Sequence, residues 1–192
     1  MTDQIRLAYL DSVFFISVIT PVYHRLPALI PLLKLIDEGK LQTVTSTMTL
    51  AEVRRFKSDS LSVGYVDEQQ GLRVREMFAT GRVLVVPLTE YIANRAAEIG
   101  NDYPDLLPAD CVHIATAEFQ KVDVLFTYDG EGKGRRRPGK MLAHDGTIGP
   151  AMLRISEPFV PLGPMFDLAA LDRSPRTPPQ FGPDELALRQ GS

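Results

Sequence analysis

LPADCVHIATAEFQK (residues 107–121), followed two residues later by VLFTYD (residues 124–129), decides how this chain is read. The first stretch predicts a helix. Pro108 suits a first turn, Asp110 is favoured there by the helix dipole, and the residues that follow are apolar nearly all round, as in a buried element. The second stretch predicts a short buried strand that ends on Asp129, with Gly130 next as a turn partner. In an open α/β sheet ligands bind outside the carboxyl ends of the strands, so an acid at a helix start and one at a strand end can face the same crevice.

The same alternation runs through the chain upstream. Ile5 to Leu10 is a nearly continuous apolar run of strand length, as expected for a strand covered on both faces, and it stops at Asp11-Ser12. Val13 to Ile19 runs apolar up to Pro21, which stops a helix. Leu26 to Glu38 predicts a second helix, with Leu29, Leu32, Leu33 and Ile36 on one stripe, Pro31 as a kink or late start, and Gly39 at its close. Gln42 to Thr45 is a short strand; Thr49 to Glu52 opens a helix that carries Arg54, Arg55 and Lys57 on a solvated face. Val66 to Phe78 predicts a helix, Val83 to Val86 a buried strand, and Ile92, Ala96 and Ile99 mark a helix closed by Gly100. Asp102 and Asp105 then fall in a loop. Strands alternating with helices give the fold class as α/β, a three-layer α/β/α domain around a central, mainly parallel sheet.

Beyond Asp129 the character changes. Gly130 to Pro150 holds six glycines and the cluster Lys133, Arg135, Arg136, Arg137 and Lys140, and predicts an exposed basic loop. Ala151 to Ser156 is read as a last edge strand. The expected organisation is one domain over residues 1–157, including the basic loop 130–150, with residues 158–192 a proline-rich, partly disordered extension.

Composition sets outer bounds. A chain of 192 residues is long enough for one domain with a sizeable core and short for two. The lone Cys111 cannot form an internal disulfide and reads as a buried, inert thiol. No basic opening precedes the first apolar run, which Arg6 and Asp11 interrupt and which is too short to span a bilayer, so a cytoplasmic location without membrane contact is expected.

Each upstream or downstream acid has a structural explanation when taken alone. Asp11 can cap the helix after it, Thr49-x-x-Glu52 fits a capping box, Asp110 suits the helix dipole and Asp129 a turn. Together they read differently, because strand ends and the following helix starts share one edge of a parallel sheet. Two carboxylates about 4 Å apart repel by roughly 4 kcal/mol at an effective dielectric of 20, and caps alone have no reason to accept that. A divalent cation would offset it. Mg²⁺ takes hard oxygen ligands and is commonly held by few carboxylates plus waters and substrate phosphate. Such a site activates water for displacement at phosphorus, and the absence of paired histidines or cysteines argues against zinc.

Four segments carry a family likeness: Tyr9 to Ser12, Thr45 to Val53, Leu107 to Ala117, and Leu125 to Asp129. In this order and spacing the chain resembles, over residues 5–157, the PIN-domain family of metal-dependent ribonucleases, which includes VapC-type toxins of bacterial toxin–antitoxin pairs. The resemblance implies hydrolysis of RNA phosphodiesters with Mg²⁺ or Mn²⁺ in an acidic pocket, with Asp11, Glu52, Asp110 and Asp129 as the metal-binding and water-activating acids. Ser12 and Thr127 match neighbouring polar positions that support the site. It further implies an RNA substrate, a small antitoxin protein as partner, and a homodimer. Lys133, Arg135, Arg136, Arg137 and Lys140 are candidates for holding RNA phosphates.

The long basic loop and the proline-rich tail exceed a minimal toxin, which leaves a non-toxin RNA-processing nuclease open, as well as a non-catalytic RNA-binding or protein-interaction module. His113, one turn after Asp110 with no second histidine near it, reads as a packed structural residue; His144 and Asp145 have no assigned role. Other phosphate chemistries lose support. Val13 stands where haloacid-dehalogenase-like phosphatases need a second acid, no phosphate-binding glycine motif follows a strand, and Pro87 follows the strand that would carry a receiver domain's acceptor acid.

Overall fold

The computed structural model describes residues 5–20, 22–54, 68–131, 140–149 and 151–160. Five strands form one sheet: β1 (Leu7–Leu10), β2 (Gln42–Ser46), β3 (Val83–Val86), β4 (Val124–Phe126) and β5 (Ile155–Ser156). Six helices connect or flank them: α1 (Ser12–Ile19), α2 (Leu26–Asp37), α3 (Thr47–Arg54), α4 (Glu68–Ala79), α5 (Glu90–Asp102) and α6 (Pro108–Phe119). The sheet order is β3-β2-β1-β4-β5, and every pairing is parallel.

Alternation along the strands explains the layering. Tyr9, Val44, Val86, Leu125 and Ile155 share a buried cluster with Ile92, Ala96 and Ile99 of α5 and Ile114, Ala115 and Ala117 of α6. The intervening strand residues Ala8, Leu10, Val124 and Phe126 are buried too, so the sheet is covered on both faces, as continuous apolar strands require. α1 packs against α4, where the Phe15 and Phe78 rings lie 4.9 Å apart between centroids.

Strand order sets where a crevice can form. The chain builds outward from β1 through β2 to β3, then returns to the other side of β1 with β4. The two strands that flank this reversal, β1 and β4, pair with Leu10 opposite Phe126, so their carboxyl ends lie side by side. That is the switch point at which open α/β sheets bind ligands.

Several local expectations change. α5 does not close at Gly100 but continues to Asp102, which is helical and not part of a loop; a Cβ at Gly100 would meet only Cys111 Sγ at 3.6 Å. β5 is reduced to Ile155–Ser156, because residues 151 and 152 form a turn in which Met152 adopts a φ of 50°. Residues 140–149 are not the exposed loop expected: Met141, Leu142 and Ile148 are buried in the α5–α6 cluster, and Met141–His144 is a 3-10 turn. Their apolar side chains were outweighed in the sequence by six glycines and a basic run. Packing also continues past residue 157, since the Phe159 ring stands 5.3 Å from that of Phe126. The tail from residue 161 onward lies outside the described residues. Among the described residues no single helix is long and apolar enough to cross a membrane.

The core makes a direct prediction. Ile114 is fully buried between α5, α6 and the sheet. Ile114→Ala is expected to lower stability by about 3 kcal/mol through lost burial and a residual cavity, read as a shift in the urea midpoint without a change in slope.

Candidate active site

Asp11 follows β1 directly and is completely buried. Its Oδ1 accepts the Phe14 N–H at 3.1 Å, so it caps α1 as the sequence suggested, while its Oδ2 accepts the Thr127 hydroxyl at 2.6 Å. The backbone N–H of Asp11 donates to the Phe126 carbonyl at 3.3 Å, which extends the β1–β4 ladder by one step. Thr127, also fully buried, accepts the Asp129 N–H on the same hydroxyl at 2.8 Å. One side chain at the end of β4 thus ties two acids together. Ser12 is buried in the first turn of α1.

Asp129 is half-buried in the turn that Gly130 completes with a φ of 101°. Its Oδ2 accepts the Met141 N–H at 3.1 Å, and its Oδ1 pairs with Lys140 Nζ at 3.0 Å. Asp110 is the third residue of α6, where its Oδ2 accepts the Leu107 N–H at 3.1 Å. The fold brings both into one electrostatic neighbourhood. Burial raises the pKa of Asp110, the Leu107 N–H lowers it, Asp129 raises it further, and His113 and Lys140 pull it down. Burial pushes Asp11 up to about 6; His113, Thr127 and the Phe14 N–H oppose the rise, and Asp129 adds to it.

Glu52 arrives from α3, and here the capping-box expectation fails. α3 begins at Thr47, so Thr49 lies inside the helix, fully buried, with its hydroxyl 2.7 Å from that of Thr45. Glu52 is therefore not held in the box geometry, and its Oε2 instead meets His113 Nε2 at 2.9 Å. His113 is 1 % exposed, and its Nδ1 lies 2.7 Å from the Tyr9 hydroxyl. Burial pulls its pKa down, but Tyr9, Glu52 and Asp11 around it reverse the sign and hold it up at about 10.

The basic cluster divides. Lys140 Nζ lies against Asp129, beside the acids. Lys133, Arg135, Arg136 and Arg137 lie outside the described residues, as do Arg55 and Lys57. His144 Nε2 pairs with Asp105 at 3.2 Å, and Asp145 accepts the Ile155 N–H at 2.8 Å, which gives both residues structural places away from the acids.

Three positions escaped the sequence reading: Tyr9, Ser46 and the pairing role of His113. A signal was present in Tyr9, a hydroxyl set in a strand buried on both faces, since such a group has to find a partner.

The donor set suits a hard divalent cation. Asp11, Glu52, Asp110 and Asp129 offer only oxygen, burial and the nearby Asp129 raise the pKa values of Asp11 and Asp110, and a protein cation, Lys140, stands against Asp129. As the side chains stand, no three acid, imidazole or thiol groups among the described residues close on one point. Mg²⁺ does not need that, because it is commonly held by one or two carboxylates with waters filling the remaining positions.

The structure defines an α/β domain with a parallel sheet, in which Asp11 and Asp129 follow the adjacent carboxyl ends of β1 and β4. The sequence matches the PIN domain family over residues 8–133, and the chain belongs to that family. Solved structures agree on the fold. VapC20 of Mycobacterium tuberculosis, described as a Sarcin-Ricin loop cleaving toxin, superposes with a TM-score of 0.50 at 13 % identity, covering 65 % of this chain and 91 % of that one. VapBC2 of Rickettsia felis, bound to a DNA fragment from its promoter, gives a TM-score of 0.51 at 14 % identity, covering 79 % and 98 %. Among curated proteins none matches the sequence.

The raised pKa of Asp11 has a signed consequence for stability. A carboxyl whose folded pKa exceeds its unfolded value of 3.8 contributes stability that is fully present below 3.8 and lost as pH rises through about 6. Asp11→Asn is therefore expected to gain up to about 3 kcal/mol over the parent at pH 8 in chelator, and nothing at pH 3, in urea titrations at the two pH values.

Proposed function

We propose that this chain is a divalent-metal-dependent endoribonuclease of the toxin type, with a small antitoxin protein as its partner. One observation carries the reading: Asp11, Thr127 and Asp129 are linked at the switch point between β1 and β4, within the field of Asp110. Family membership and likeness in fold to VapC proteins support it. The neighbour described as cleaving the Sarcin-Ricin loop supports RNA as the substrate class, and the VapBC2 structure supports an antitoxin as the partner.

In this reading Asp11 and Asp110 would hold Mg²⁺ or Mn²⁺, and Glu52 and Asp129 would complete the site. A bound ion would supply charge stabilisation for the in-line displacement and a water of lowered pKa. The chain's own residues do the remaining work. Thr127 keeps the Asp11 Oδ2 lone pairs directed and the Asp129 backbone in place. Glu52, partly exposed and paired with His113, would orient the attacking water and take up its proton. The water oxygen would bond to phosphorus as the bond from phosphorus to the leaving RNA oxygen breaks, and that oxygen would take a proton from solvent.

Asp110→Asn retains a group that can accept from the Leu107 N–H, so the fold is expected to persist while cleavage falls by more than about 100-fold, the scale on which losing one transition-state charge stabiliser acts. Cleavage of a mixed pool of structured and single-stranded RNA, with Mg²⁺ or Mn²⁺ and with chelator, tests this. Activity that survives both chelation and Asp110→Asn would overturn the assignment. A separate expectation concerns the basic run. Replacing Arg135, Arg136 and Arg137 with alanine is expected to weaken RNA binding at low salt and to flatten the log K against log salt slope by about 2, near 0.7 per lost phosphate contact on single strands.

A further inference from the structure

The buried histidine of α6 has two partners, and neither nitrogen is left over. Nδ1 is 2.7 Å from the Tyr9 hydroxyl and Nε2 is 2.9 Å from Glu52 Oε2; the Tyr9 oxygen in turn accepts the Ser46 N–H at 3.1 Å. An ionised carboxylate only accepts, so Nε2 carries a proton and donates it to Glu52. At the other end the Ser46 N–H only donates, which leaves the Tyr9 hydroxyl either to donate to a neutral Nδ1 or to accept from a protonated one. Both arrangements fix the ring the same way round, because a ring turned over would set carbon against both oxygens. The Tyr9 ring meets the imidazole edge-on, with 5.8 Å between centroids, and closes the remaining side.

This imidazole is where three site-bearing elements meet. α6 carries Asp110 one turn before it, Asp11 follows β1 two residues after Tyr9, and α3, which carries Glu52, starts directly after β2 and Ser46. Glu52 itself is 29 % exposed on its side chain, and the His113 Nε2–H is a buried donor on its carboxylate. A histidine serving only to fill the core would be replaced by an apolar side chain of similar shape at little cost. Here a desolvated polar chain runs from a backbone amide to an acid of the site.

We infer that His113 is a positioning residue whose Nε2–H fixes the Glu52 carboxylate in one orientation for a divalent cation and its water, with Tyr9 and the Ser46 amide locking the ring. This rests on the proposal that the acids bind metal.

The test uses the full chain and Mn²⁺ affinity measured by calorimetry, together with RNA cleavage kinetics. His113→Gln keeps a donor near the Nε2 position, whereas His113→Asn keeps one near Nδ1 and cannot reach Glu52. His113→Asn and the reference Glu52→Gln are each expected to lower Mn²⁺ affinity by about 10- to 100-fold, the usual effect of losing a group that orients a metal ligand. His113→Gln is expected to recover most of that affinity, and the kinetic loss in His113→Asn to fall on kcat with KM for RNA unchanged. If Glu52→Gln weakens Mn²⁺ binding while both histidine variants bind it like the parent, or both weaken it equally, the positioning role is overturned. If Glu52→Gln leaves Mn²⁺ binding unchanged, Glu52 takes no part in holding the ion and this inference is overturned, whereas a parent chain that binds no Mn²⁺ would overturn the metal-site reading itself. Should neither histidine variant fold, Tyr9→Phe decides: a loss of about threefold or more in Mn²⁺ affinity supports the relay, and an unchanged affinity overturns it.

Discussion

Taking the Asp11 carboxylate wholly out of water disfavours its charge, and the surrounding structure is arranged to carry that cost. Its two oxygens are each given a donor, one from the first turn of α1 and one from Thr127 on the neighbouring strand. The first donor requires α1 to start where β1 ends, with no loop between them. The second requires β4 to lie beside β1 in the register that sets Thr127 next to Asp11. Even so, the balance leaves the carboxyl pKa raised to about 6. A carboxylate that serves only as a helix cap can sit at the surface and accept its N–H bonds there. Burying it beside other acids is a cost in stability, which makes sense where the position is needed for chemistry.

Topology converts that local cost into a site. Because β1 is central, with β2 on one side and β4 on the other, the elements that leave the carboxyl edge on either side converge on it. α3 comes from the β2 side with Glu52, the turn after β4 brings Asp129, and α6 crosses near both with Asp110 and His113. In an antiparallel sheet alternate strand ends would point away, and residues so distant in sequence would not gather at one edge. Parallel pairing throughout is thus what sets Asp11 and Asp129 side by side on Thr127 and brings Asp110 into the field of Asp129.

The fold was legible because its strands are short, apolar and regularly spaced between helices, and because the acids fall at their ends. The places where the sequence misled have physical reasons. Gly100 looked like a helix stop, yet glycine inside a helix is tolerated where its missing side chain lets another element approach, here Cys111 of α6. The run after Asp129 looked exposed because glycine and arginine dominate its composition, while Met141, Leu142 and Ile148 are too sparse to show a period. Thr49-x-x-Glu52 matched a capping box in spacing, but the helix starts two residues earlier and the threonine turns inward. His113 illustrates a limit of another kind. Its partners Tyr9 and Glu52 lie 104 and 61 residues away, so no local pattern could reveal that both its nitrogens were taken.

Three kinds of positive charge can compensate the acids: a proton, a side chain of the protein, or a divalent cation. The proton competes poorly at neutral pH, since a carboxyl titrating near 6 is protonated in only about a tenth of molecules at pH 7. Protein cations are present, with Lys140 against Asp129 and His113 against Glu52, and each also lowers the pKa of Asp110. Yet Asp11 itself makes no ion pair among the described residues, and the donors on its oxygens are a neutral hydroxyl and a backbone amide. The acid with the deepest burial is therefore held by neutral donors and by the field of His113, without an ion pair, which leaves its carboxylate able to take up a further positive charge.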